Sequence, residues 1–258
     1  MELTFLGTGT SVGIPMIGCH CPVCSSDDPR NTRRRSCLYV KTGQTAFVID
    51  TPPDFRQQML DASIESLDAV VFTHAHADHI FGFDDIRRFN TLTGTVLPAY
   101  GDPETISHIR QIFDYIGTRP NPQGLFRPLI EFRPITAPFQ IGDVTLTPLD
   151  IEHGVKMTGY ILESKGTRAG YVCDCHSIPE ESLAKLTDLD VMVLDALKYE
   201  PHPTHLSVAE SVAYLQQIGA RQSYLTHLCH HLDHAQLTSE LPPSIAVSYD
   251  GLTVRLGN

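Results

Sequence analysis

The chain has 258 residues, 41% of them hydrophobic, and a formal net charge of −11. That is enough apolar material for a sizeable core in a single α/β domain spanning residues 1–258. The acidic balance argues against binding along a nucleic-acid backbone, which needs clustered Lys and Arg.

The chain opens on MELTFLGTGTSVG, which lacks the basic start and long apolar run of a signal peptide. No stretch nears the ~18 consecutive apolar residues of a membrane span, so a cytoplasmic protein that does not enter the membrane is expected. LTFLG from Leu3 predicts the first strand. GCHCPVC follows, with Cys19, Cys21 and Cys24 close enough to converge on one point. The seven cysteines do not fall into a disulfide framework, and in a reducing compartment such clusters bind metal. Arg33, Arg34 and Arg35 come next. Short charge runs are mostly solvated or salt-bridged surface, although a planar guanidinium here also suits a second phosphate of a substrate.

TAFVID ending at Asp50, DAVVFTH ending at His74 and VLPAYG from Val96 read as buried strands. The Pro52-Pro53 pair stiffens the turn after Asp50. Asp102 with Pro103 predicts a capped helix start. RPNPQG, Arg119 to Gly124, reads as an excursion loop rather than a domain boundary. VTLTPLDI from Val144, TGYILES from Thr158, AGYVCD ending at Asp174 and VMVLDA from Val191 predict further strands. QSYLTH ending at His227 and IAVSYD ending at Asp250 complete them. SIPE from Ser177 and SVAE from Ser207 both fit the capping box. The second of these helices carries Val208, Val212 and Leu215 on one side and stops at Gly219. The pattern is a layered α/β architecture with helices covering sheets.

The densest chemistry is THAHADHIFGF, Thr73 to Phe83. On an extended run His74 and His76 point the same way, and Asp78 and His79 follow as the chain turns into a helix. Four metal-type ligands in six residues are hard to explain as packing. His153, Asp174 and His227 end later strands, where catalytic residues of α/β folds gather on one sheet edge. Taken singly, His153 also reads as a loop histidine and Asp174 as a helix cap.

With its Gly-rich first turn, Asp50, the His-x-His-x-Asp-His run and the three later ligands in order, nearly the whole chain resembles the metallo-β-lactamase superfamily. The resemblance implies a four-layer αββα sandwich with two facing β-sheets. It also implies that His74, His76 and His153 hold one metal, that Asp78, His79 and His227 hold the second, and that Asp174 bridges them. Two such ions acidify a shared water and bind the substrate oxygen that becomes negative. Imidazole and carboxylate accept Zn²⁺, Mn²⁺ or Fe²⁺.

His205, two residues before the predicted cap Ser207, resembles the His-x-Ser/Thr element of the phosphodiesterase branch. There it contacts a phosphate oxygen or protonates a leaving alkoxide, and the backbone N–H groups of the helix start attract the anion. The cysteine insert resembles the cyclic-phosphate phosphodiesterase family of carbon–phosphorus bond metabolism. Pyrroloquinoline quinone biosynthesis protein B carries a similar insert, and the tRNA 3′-processing nucleases are the third relative considered. The expected reaction is hydrolysis of a small, cyclic phosphate ester, with Asp78 and His205 as catalytic residues. A homodimer is compatible with the sequence; nucleic acid and membrane are not expected partners.

For the cysteine cluster, His20 within the loop, Cys37 thirteen residues on and Cys229 in THLCHH are all candidates for a fourth ligand. The resemblance instead implies His230, making a structural Zn²⁺ site in a loop near residues 18–37. Cys173 and Cys175 flank Asp174 and read as packing or as support for the site.

Overall fold

The structure is a computed structural model that describes residues 1–119, 124 and 126–257. Most of the expected RPNPQG excursion therefore lies outside the described residues.

The first six strands are β1 (Glu2–Gly7), β2 (Cys37–Lys41), β3 (Ala46–Ile49), β4 (Ala69–Val71), β5 (Leu97–Gly101) and β6 (Ile130–Pro134). The next seven are β7 (Phe139–Ile141), β8 (Val144–Glu152), β9 (Lys156–Ser164), β10 (Thr167–Val172), β11 (Val191–Asp195), β12 (Gln222–Thr226) and β13 (Ile245–Val247). β14 (Thr253–Arg255) returns to the first sheet, whose order is β14-β1-β2-β3-β4-β5-β6. The second sheet runs β13-β12-β11-β10-β9-β8-β7. Each sheet is antiparallel in one half and parallel in the other.

Side-chain alternation explains the continuous apolar runs. In β3, Phe47 and Ile49 join the core between the sheets, while Ala46 and Val48 join the core on the outer face. That outer core is closed by Phe55 and Met59 of α1 (Phe55–Asp61), Ile80 of α2 (Ala77–Ile80) and Phe89 of α3 (Arg87–Thr93). Ile106 and Ile109 of α4 (Pro103–Ile112) complete it. The second sheet is covered by α5 (Glu180–Leu183), α6 (Val208–Ile218) and α7 (His234–Glu240). Val208 and Leu215 of α6 and Leu237 of α7 enter the core there. The result is the expected four-layer αββα sandwich. No helix among the described residues is long and apolar enough to cross a membrane.

Local signals set several boundaries. Asp102 accepts from the N–H groups of Glu104 and Thr105, with Pro103 at the first helical position. Ser207 and Glu210 form the expected capping box, and Gly219 ends α6 at φ 67°. The capping box expected at Ser177 does not form. Pro179 stands at the cap position of α5, and Ser177 is bridged to Glu152 instead. The strands β2, β6, β7 and β14 are additional to those predicted; the three-residue β7 and β14 form by pairing with the longer β8 and β1.

Candidate metal centre

β3 and β4 run parallel in the first sheet and β8, β10, β11 and β12 run the same way in the second, and residues that follow their C-terminal ends meet at one edge. Tyr160 Oη donates to the Phe72 carbonyl at 2.6 Å, and the Thr158 N–H donates to the Thr73 carbonyl at 2.9 Å. These bonds lock the second sheet against the loop that begins the histidine motif. Gly82 is needed below this loop, because a Cβ there would lie 2.1 Å from the Pro52 carbonyl oxygen. Asp50 and His227 hold φ of 67° and 57°, a strained conformation for such residues that aims both side chains from tight strand exits.

The structure brings the predicted residues together. Ligand atoms of His74, His76 and His153 lie within 4.8 Å of one another, as do those of Asp78, His79 and His227. Asp174 stands between the two groups. Its oxygens lie 3.9 Å from His74 Nε2, 3.5 Å from His153 Nε2, 3.4 Å from His79 Nε2 and 3.5 Å from His227 Nε2. β10 stops at Val172, so Asp174 sits on the turn beyond the strand and caps no helix.

The outer nitrogens of these rings are held by protein oxygens. His79 Nδ1–H donates to Asp50 at 2.8 Å, and His153 Nδ1–H donates to the Thr204 carbonyl at 2.8 Å. Thr73 donates its hydroxyl to Asp50 at 2.8 Å, so its oxygen is left to accept from His74 Nδ1–H at 3.0 Å. Each bond leaves an Nε2 lone pair facing inward, the tautomer a metal ligand needs. His74 Nε2 then meets His76 Nδ1 at 3.0 Å. His79 Nε2, His227 Nε2 and Asp174 Oδ1 are buried without a hydrogen-bond partner among the described residues. Converging lone pairs and orphaned buried acceptors are repulsive unless a cation stands among them, so this donor set fits divalent metal. Burial pulls the His74 ring well below the usual histidine range, which favours that neutral form.

His205 stands beside this cluster. Its ring stacks on His227 with centroids 4.7 Å apart, and it meets His153 edge-on at 4.7 Å. Nδ1–H donates to Asp195 Oδ2 at 2.9 Å, and the same oxygen accepts from the N–H groups of Cys175 and Leu206. Asp195 Oδ1 also lies 3.7 Å from His227 Nδ1. Asp195 was missed as a site residue. Its signal was an aspartate ending an apolar strand, as at Asp50 and Asp174. Burial and the His227 charge pull His205 down to about 4. The helix start after His205 is not an open anion site, because Glu210 accepts from the Ser207 N–H at 2.8 Å.

At the cysteine loop, the ligand atoms of Cys19, Cys21, Cys24 and His230 lie within 4.8 Å of one another. His230 Nδ1 is 3.3 Å from Cys19 Sγ and 3.4 Å from Cys21 Sγ. The Cys24 N–H, with His230 and Cys19, draws the Cys21 thiol down to about 6, toward the thiolate that binds metal. His20 points into solvent, Cys37 is buried in β2, and the Cys229 sulfur accepts from the His231 N–H. Cys173 and Cys175 are buried, Cys173 against Thr73 and Asp50. The expectation for the arginines fails at Arg33, which is 1% exposed and donates to the carbonyls of Arg30 and Leu232. Arg34 and Arg35 are salt-bridged, to Asp61 and Asp54. None of the three is a free phosphate ligand.

Residues 45–228 match the Beta-lactamase superfamily domain. The chain is 37% identical over 257 residues to a Porphyromonas gingivalis protein named octanoyltransferase. That match takes in 98% of this chain and 51% of the relative, so the chain spans about half its length. A crystallised diphosphatase from the PhnP family is 37% identical with a TM-score of 0.89, over 98% of this chain and 96% of that one. Zn²⁺-bound PqqB from Methylobacterium extorquens is 19% identical with a TM-score of 0.83, over 99% and 100% of the two chains.

Proposed function

The chain belongs to the beta-lactamase superfamily, with the metal-dependent hydrolase fold, and from that premise we propose that it is a dinuclear phosphohydrolase acting on small, cyclic phosphate esters. The observation that carries this reading is the set of inward lone pairs and orphaned atoms around Asp174, with His205 held beside it by Asp195. His74, His76 and His153 would hold one ion; Asp78, His79 and His227 the other; Asp174 both. Divalent ions there, Zn²⁺ or Mn²⁺ with Fe²⁺ also suited, supply Lewis acidity and acidify water.

The chain's own residues do the rest. Asp78 Oδ2 lies 3.4 Å from His79 Nε2 and 3.9 Å from His227 Nε2, where its carboxylate would add negative charge to the ligand set. His205 presents Nε2 on the side away from Asp195. A phosphate anion beside this ring favours its protonated form, opposing the burial that otherwise keeps it neutral. The Nε2 proton then passes to the leaving oxygen, while Asp195 fixes the ring through Nδ1.

The 37% identical diphosphatase supports a second reading, cleavage of a phosphoanhydride rather than an ester. One panel separates them: bis(p-nitrophenyl) phosphate, cyclic ribose phosphates and nucleoside diphosphates, each with Zn²⁺, Mn²⁺ and Fe²⁺. An octanoyl thioester in the same panel covers the activity that the Porphyromonas relative is named for. Turnover of the diesters that is lost on chelation supports the first reading. Turnover of the anhydrides alone supports the second, and no turnover of any of these phosphate substrates under any metal sinks both.

A further inference from the structure

Apart from the metal centre, two of the helices on the outer face of the first sheet leave a groove between them. We infer that this groove is a second binding site, which takes an aliphatic carboxylate such as a fatty-acid anion, with the chain on its apolar floor and the head at Arg56 and Arg88.

The groove lies between α1 and α3 and has a volume of about 700 Å³. That is the size of a small-molecule site, and such sites are mostly apolar with a few placed polar groups. Phe55 and Met59 of α1 and Phe89 of α3 form the floor, all three buried in the outer core. The Phe55 and Phe89 rings meet edge to face, with centroids 6.3 Å apart. Leu60 of α1 and Leu92 of α3 line the groove above them, yet are 55% and 49% exposed. A single exposed leucine is ordinary, but two that continue an aromatic floor make a trough of the kind that marks a binding site. None of these residues belongs to the donor set around Asp174, so the inference stands apart from the reaction proposed above.

The charged groups give the groove a sign. Arg56, Arg87 and Arg88 line it together with Glu65 and Asp85, in a chain whose net charge is −11. Asp84 pairs with Arg87, while Arg56 and Arg88 make no ion pair among the described residues. Two planar guanidinium forks are therefore left for a ligand, and a carboxylate matches that geometry with two parallel hydrogen bonds. An organic cation would meet three guanidiniums here, and a neutral apolar molecule would leave both forks unused. A hydrogen bond to a charged head of this kind is worth about tenfold in affinity.

The test is calorimetric titration of the full chain, loaded with Mn²⁺, with three probes: nonanoate, 1-nonanol, which keeps the chain without the charge, and acetate, which keeps the charge without the chain. Nonanoate is expected to bind saturably, about tenfold more tightly than 1-nonanol, and acetate not measurably. The double variant Arg56→Gln/Arg88→Gln is expected to weaken nonanoate about tenfold and to leave 1-nonanol within about twofold. Leu92→Glu, at a half-exposed position that tolerates charge, is expected to weaken both long-chain probes, with an unchanged circular dichroism spectrum. No saturable binding of nonanoate overturns the inference, and so does an affinity that neither variant changes. Binding that disappears on chelation also overturns it, because the carboxylate would then sit on the metals. A dimer in sedimentation that Leu92→Glu dissociates overturns it as well, by making a second copy of the chain the occupant.

Discussion

Asp174 faces four imidazoles at 3.4 to 3.9 Å, and no donor among the described residues satisfies its Oδ1. An amide there would keep the shape but lose the charge that lets one group serve two cations. Asp174→Asn should lower kcat/KM by about a thousandfold or more and reduce bound metal, measured by metal analysis beside an unchanged circular dichroism spectrum. Asp250 makes a different prediction, about pH. Burial pushes its carboxyl up from 3.8 to about 6, although it accepts from Thr8 at 2.8 Å and the Arg34 N–H at 2.7 Å. Because the folded state holds this proton more tightly, its stabilising contribution is complete below pH ~4 and is lost as pH rises through about 6. Wild type should therefore lose about 2 kcal/mol relative to Asp250→Asn between pH 4 and pH 7, read from urea unfolding of both proteins.

At the scale of elements, the segment after β12 is held from two sides. Cys19 and Cys21 reach His230, while Arg33 and Asn31 clasp Leu232 and Asp233. His227 lies three residues before His230, so a cation in the cysteine cluster would steady one of the proposed catalytic ligands through the chain. Cys21→Ser should remove one zinc per chain and weaken hydrolysis; loss of the zinc with full activity and stability refutes the coupling. The capping box of α6 secures the helix that follows His205. Ser207→Ala should cost about 1 kcal/mol in chemical denaturation. A null result there would mean that tertiary packing of Val208 and Leu215 alone sets the helix start.

Across the whole molecule, both sheets supply groups to one edge: Asp50 and the histidine motif from the first, His153, Asp174, Asp195 and His227 from the second. Metal that binds this edge binds only the folded sandwich and therefore stabilises it. Chelation should lower the midpoint of thermal unfolding by about 10 °C as well as abolish turnover, since about 4 kcal/mol is expected from an ion present at ~1,000 times its Kd. An unchanged midpoint after verified removal of metal would count against a site shared between the sheets.

Strands, the caps at Asp102 and Ser207, and the density of ligands in Thr73 to His79 were legible because they are local. Periodicity, a cap and a short motif need only near neighbours. The cap at Ser177 misled for the complementary reason: Glu152, remote in sequence, claims that backbone. By itself the sequence determined the layered architecture and the inventory of metal-type donors. Tertiary structure alone decided which donors meet. It set Cys19 against His230 across 211 residues, buried Arg33 rather than leaving it to solvent, and joined Asp195 to both His205 and His227. Such contacts depend on how two sheets stack, and spacing along one chain carries no record of that.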